Sequence, residues 1–357
     1  MNLAEHPARY LIALLVPLAL AVLLTPAARW LAFRLDILDR PRDGRFHQRT
    51  TPFLGGLAVA VALIAVAALS SGLRAQFLTI LAGGLAICLL GLIDDWRGVR
   101  PEAKLIVEAG AAVALWLAGV RAGIFGTVWL DLPLTVLWVA AVTNALNLVD
   151  NMDGLATGVA AVSALGFFGI AAQQDHFLVA SLALAVSGAC WGFLPHNFPP
   201  ARIFLGDAGS LLLGFLLAAL GLKLDLMGPG GVIRAAVPVL VLAVPLFDMA
   251  VVVITRLREG RPVYVGGTDH TSHRLAANGV SHRGVALIAM GTQLACSAVA
   301  VVLVEVSDGT FAIGVALMAA AALVAGGAVL RMGPQPVRTA VIERPVVVDG
   351  APERAGR

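Results

Sequence analysis

Charge is what this sequence has least of. Only 13% of its 357 residues are Asp, Glu, Lys or Arg, against 59% that are apolar, and the mean hydropathy is +0.89. A water-soluble domain carries roughly a quarter charged residues, so the composition excludes an ordinary soluble fold. Cysteine is scarcer still. Cys88, Cys190 and Cys296 lie far apart, each within an apolar run, with no C-x-x-C or other ligand spacing. They suit apolar packing, not a metal site.

What the sequence has instead is long apolar runs, each close to the roughly 20 residues that cross a bilayer as a helix. Between polar breaks they fall at about 10–33, 53–71, 74–93, 104–120, 128–147, 155–173, 177–194, 209–224, 232–255, 284–305 and 310–330. The expected fold is an all-α polytopic membrane protein of about eleven transmembrane helices. The first run is too long for a signal-peptide core and lacks a small-residue cleavage site after it, so it reads as a retained span. Residues 1–330 are expected to form one membrane-embedded domain, and 331–357, rich in Pro, Arg and Val, read as a disordered tail.

An odd number of spans puts the termini on opposite sides, and Lys and Arg choose the cytoplasmic one. Twenty of the twenty-five basic residues lie on the side reached at the ends of the odd-numbered spans, among them Arg34, Arg97, Lys104, Arg256 and Arg283; only Arg9, Arg74, Arg121, Lys223 and Arg234 lie opposite. The N-terminus is therefore expected outside and the C-terminus in the cytoplasm. The net charge of +3 then reflects topology and anionic headgroups rather than nucleic acid.

The polar clusters gather on that same cytoplasmic side. Asp94-Asp95 ends the third span and Lys104 opens the fourth. Paired carboxylates can take a proton or a divalent cation, and the lysine can hold a phosphate; a plain solvated loop accounts for them equally. Asn144, Asn147 and Asp150 share a helical face at three-residue spacing, followed by Asp153-Gly154. Such oxygen ligands suit magnesium, while Asp153 could simply cap the helix beginning near Leu155. In Phe204-Leu-Gly-Asp207-Ala-Gly-Ser210, glycines leave room for a phosphate beside a helix N-terminus, and Phe204 offers a face to a base; capping by Asp207 is the plainer reading. His270 and His273, with Arg274 beside them, suit phosphate or pyrophosphate, since no cysteine or H-E-x-x-H pattern supports zinc.

In this order the segments resemble the polyprenyl-phosphate N-acetylhexosamine-1-phosphate transferase superfamily, glycosyltransferase family 4. The likeness covers about residues 34–285: the Asp-Asp loop, N-x-x-N-x-x-D-x-x-D-G-L-A, F-L-G-D-x-G-S and the His loop before Arg-Leu. It implies transfer of a sugar-1-phosphate from a UDP-sugar to polyprenyl phosphate at a cytoplasmic site of a multi-pass plasma-membrane protein, releasing UMP. It also implies magnesium, with manganese as a substitute, at Asn147 and Asp207. Asp153 and Phe204 match positions that hold uracil, and Lys104, His270, His273 and Arg274 those at the pyrophosphate and sugar. Asn144 and Asp150 line the substrate site, and Asp94 and Asp95 deprotonate or orient the lipid phosphate.

Three positions depart from the pattern. Arg45, in Gly44-Arg45-Phe46-His47, stands where many relatives carry Arg-Lys before the histidine; Ser272 replaces a further histidine; Asn151 replaces the usual glycine. The reduced histidine cluster favours UDP-GlcNAc over UDP-MurNAc-pentapeptide, and so a product feeding cell-envelope polysaccharide such as lipopolysaccharide, teichoic acid or arabinogalactan. The expected partners are the UDP-sugar, the lipid phosphate and the bilayer, without nucleic acid; a homodimer is compatible. The rival readings are a transporter, for which the sequence offers no polar pathway across the bilayer, and an inactive scaffold.

Overall fold

The computed structural model describes residues 7–40, 50–69, 75–224, 234–264, 266–306 and 308–332. Among them the chain is almost wholly helical: α1 (Pro7–Arg34), α2 (Gly55–Leu69), α3 (Ala75–Arg97), α4 (Pro101–Leu117), α5 (Val128–Val149), α6 (Leu155–Gln173), α7 (Phe177–Asn197), α8 (Gly206–Leu222), α9 (Ala236–Val241), α10 (Ala243–Arg258), α11 (Thr271–Ala277), α12 (His282–Val304) and α13 (Asp308–Arg331). A short antiparallel pair, β1 (Leu38–Asp39) and β2 (Thr51–Pro52), joins α1 to α2 with Leu38 opposite Pro52. Each expected span except the ninth coincides with one helix, and seven of the helices are long and apolar enough to cross a membrane. This is an all-α polytopic membrane protein. The tail beyond residue 332 lies outside the described residues.

Several of the helices, α2, α5, α6 and α7 among them, are apolar on all sides, as expected where lipid or protein covers every face. The short α8 is buried along nearly its whole length, and α6 and α7 pack beside it. Close approach needs small residues, since in lipid packing contacts rather than water exclusion hold helices together. A Cβ at Gly188 or Gly192 of α7 would meet the Leu14 or Leu18 carbonyl of α1, and one at Gly91 of α3 would meet the Asp207 carbonyl of α8. The last contact seats the end of α3 against the start of α8, where the polar motifs converge.

The ninth expected span, 232–255, is two helices. It breaks at Leu242 (φ −122°, ψ 27°), between Pro238 and Pro245. Backbone groups freed inside a membrane must find partners, and Gln293 of α12 supplies them. Its amide nitrogen donates to the Val241 carbonyl at 2.8 Å, and its oxygen accepts from the Val244 N–H at 3.1 Å. The break is repaired by a side chain that is itself fully buried.

Candidate active site

The site lies where α3 and α5 end and α4 and α8 begin. After Asp94 the chain leaves α3 through Gly98, at φ +73°, and Asp94 accepts a hydrogen bond from the Val99 N–H. Pro101 then opens α4, fitting a first-turn position that needs no N–H. Lys104, one turn on, returns over the loop to bridge two acids. Its ammonium contacts Asp94 Oδ2, and Asp207 Oδ2 at 2.6 Å. The other Asp207 oxygen accepts from Asn147 Nδ2 at 2.9 Å, and that amide also reaches the Ser210 hydroxyl at 3.0 Å. Four residues from four helices thus meet at one point.

Asp95 behaves unlike its neighbour. Its Oδ1 accepts from the Asp207 N–H at 2.9 Å and its Oδ2 from the Ala208 N–H at 3.1 Å. It caps α8 from another helix, satisfying two donors that a helix start leaves open. Asp207 is therefore held in place, not itself the cap. Gly206 makes this possible: it sits at φ +72°, and a Cβ there would lie 2.6 Å from Asp95 Oδ2. Asp150, at the end of α5, retains some exposed surface, but its carboxyl is enclosed. Burial, then the charges of Asp207, Asp95 and Asp153, push it well above the usual carboxylate range, only partly offset by the Gly206 N–H.

Asp153 does not cap α6, whose N-cap is Gly154 at φ +71°; it accepts instead from the Ala201 N–H at 2.8 Å. That contact ties it to the 198–205 loop, where the Phe204 ring lies 5.9 Å from that of Phe53 and the Phe204 N–H donates to Pro52. The Asn144 amide is directed at Glu108 of α4, 2.6 Å away. Arg45 lies outside the described residues.

The His loop packs under the end of α10. His270 Nδ1 lies 2.8 Å from Asp248 Oδ2, and Asp248 Oδ1 accepts from the Thr271 N–H at 2.6 Å, capping α11. Burial, then the neighbouring His270, push His273 down to about 4 against the pull of Asp248. Arg274 is 1% exposed, its guanidinium donating to the Asp269 and Val329 carbonyls and to the Thr255 hydroxyl. It anchors the loop rather than reaching out of it. Burial alone would raise Asp269, but Arg261 and Arg256 outweigh it and hold the carboxyl below its usual range.

Sequence reasoning passed over Glu108 and Asp248, placing the ionisable groups at helix ends. Both are carboxylates inside expected spans, which is itself a functional signal, and both prove to be buried partners of candidate residues.

The comparisons with known proteins bear on this same set of helices. The family model of glycosyl transferase family 4 matches residues 77–225, from α3 to just past α8. A Bacillus subtilis (strain 168) protein, named a probable undecaprenyl-phosphate N-acetylglucosaminyl 1-phosphate transferase, is 32% identical over 297 residues, 80% of this chain and 82% of its own length. The chain belongs to this transferase family. The decaprenyl-phosphate N-acetylglucosaminephosphotransferase of Mycobacterium tuberculosis (strain H37Rv) is 34% identical, over 74% of this chain and 75% of its own. A phospho-N-acetylmuramoyl-pentapeptide-transferase of Synechococcus is 34% identical over a smaller part, 57% of this chain and 65% of its own. The transferase is thus an enzyme of the polyprenyl-phosphate N-acetylhexosamine-1-phosphate superfamily, as its motifs implied.

Proposed function

We propose that the transferase moves GlcNAc-1-phosphate from UDP-GlcNAc to a polyprenyl phosphate at the cytoplasmic face of the plasma membrane, the product serving cell-envelope polysaccharide synthesis. The observation that carries this reading is the meeting of Asp94, Lys104, Asn147 and Asp207 at one helix junction. The longer match to the N-acetylglucosamine enzymes than to the muramoyl-pentapeptide enzyme supports the choice of sugar. Eleven crossings with the N-terminus outside put this junction and the His loop on the basic, cytoplasmic side.

A lipid phosphate oxygen attacks the β-phosphorus of the UDP-sugar, the Pβ–O bond to UMP breaks, and UMP departs. The chain's task is to align two anions and offset their charge. Lys104, already poised between two carboxylates, swings to the diphosphate; Asp94, released from it, accepts the proton of the lipid phosphate or orients it. Asp95 acts through the backbone of Asp207, and Asp150 lines the substrate site. Asp153 and Phe204 hold uracil, His270 and His273 face the pyrophosphate and sugar, and Asn144 keeps α4 and α5 in register through Glu108.

The donor set fits magnesium. Asp207 and the Asn147 amide, turned to present its oxygen, supply the one or two protein ligands that this ion takes when substrate phosphates and water complete its shell. Bound there, the cation would offset charge on the diphosphate. The test is UMP release by purified protein with polyprenyl phosphate and magnesium, comparing UDP-GlcNAc, UDP-GalNAc and UDP-MurNAc-pentapeptide. Release with UDP-GlcNAc alone supports the proposal, and preference for another donor overturns the sugar assigned.

A further inference from the structure

A carboxylate within a membrane helix is costly unless it has a task, and Asp248 has two. It sits in the second half of the broken span, 5% exposed, and both its oxygens are used: Oδ1 caps α11 through the Thr271 N–H at 2.6 Å, and Oδ2 meets His270 Nδ1 at 2.8 Å. A carboxylate on Nδ1 fixes the imidazole tautomer and its rotation, so that Nε2 is the nitrogen presented to a ligand. His270 is otherwise enclosed, its ring edge-on to His273 at 5.6 Å between centroids.

The position of Asp248 is fixed in turn. Gln293 clasps the chain break immediately before α10, bonding Val241 on one side and Val244 on the other, one helical turn ahead of Asp248. At the far end of α10, Arg256 is tied to Asp269, the residue before His270, and Thr255 to Arg274. Three ties therefore hold α10 to one loop, and the first of them along the helix ends on a histidine of the candidate donor site.

From this geometry we infer that Asp248 is the positioning residue of the transferase's donor site, holding His270 at the angle from which Nε2 meets the diphosphate or sugar of the UDP-sugar. The inference rests on the assignment of the His loop to the nucleotide sugar. It makes Asp248 a determinant of donor binding with no contact to the lipid phosphate.

The test measures KM for UDP-GlcNAc and for polyprenyl phosphate separately in the wild type, Asp248→Asn, His270→Gln and the double variant, all as full chains in detergent. Asp248→Asn keeps an acceptor for Thr271 but gives up the charge on Nδ1. The expected result is a donor KM raised about tenfold or more, the lower end of what a hydrogen bond to a charged group contributes, with the lipid KM within about twofold. The double variant should be no worse than His270→Gln alone, because residues acting as one unit do not add. A merely structural role would lower the active fraction and leave both KM values in place; that outcome, or additive losses, overturns the inference. If His270→Gln itself leaves donor KM unchanged, the donor-site assignment of the loop fails and Asp248 with it. If His270→Gln is impaired and Asp248→Asn is not, only Asp248 fails. Should Asp248→Asn not reach the membrane, Asp248→Glu serves: a displaced carboxylate must also raise donor KM, and a wild-type value overturns the proposal.

Discussion

Ser272 donates a 2.6 Å hydrogen bond to Oδ1 of Asn151. These are two of the positions at which the sequence departs from the pattern it otherwise follows, and they meet each other across 121 residues of chain. The Asn151 nitrogen is held by the Leu148 carbonyl at 2.6 Å, which turns the oxygen toward Ser272. The pair fastens the His loop to the turn between Asp150 and Asp153.

Ser272→Ala and Asn151→Ala should each weaken donor binding by about 1 kcal/mol, roughly fivefold in KM. The double variant should match either single one. Additive losses in steady-state kinetics would mean that the two side chains act separately.

Removing Asp207 or neutralising Asp94 strips the junction of a charge used in the transition state. Asp207→Ala and Asp94→Asn should each lower turnover by about 10²-fold or more, with normal expression and membrane insertion. Near-normal UMP release by either variant would remove that residue from the mechanism.

Asp95 should separate from Asp94 by its signature. Because it caps α8, Asp95→Ala should cost about 1–2 kcal/mol of stability, read as a lower thermal unfolding midpoint in detergent, with turnover falling as Asp207 shifts. An unchanged midpoint would show that the cap is dispensable.

His273 predicts an acid limit to the packing of its loop. Its proton affinity in the fold is depressed to about 4 from the ordinary 6.5, so the unfolded loop binds the proton more readily. Stability from this group is fully present above about pH 6.5 and is lost as pH falls from there toward 4. Thermal unfolding between pH 7.5 and 5, values on the order of the ordinary histidine range, should show this loss in the wild type and less of it in His273→Gln.

Much of this fold was legible because a bilayer demands unbroken apolar runs, and the runs mark the helices. The split at Leu242 was not, since its repair comes from Gln293, some fifty residues away. Within the site, Asp94, Asn147 and Asp207 were readable as motifs, but which acid of the Asp94-Asp95 pair faces Lys104 depends on the approach of α8 through Gly91. Arg274 looked like a ligand for anions because the sequence cannot show that α10 and α13 use its guanidinium first.

The most direct measurement follows the β-phosphorus. With UDP-GlcNAc labelled at that atom, polyprenyl phosphate and magnesium, the label should pass into the lipid while unlabelled UMP is released. Label retained in released UDP, with sugar alone on the lipid, would contradict phosphoryl transfer at the Asp94–Lys104–Asp207 junction.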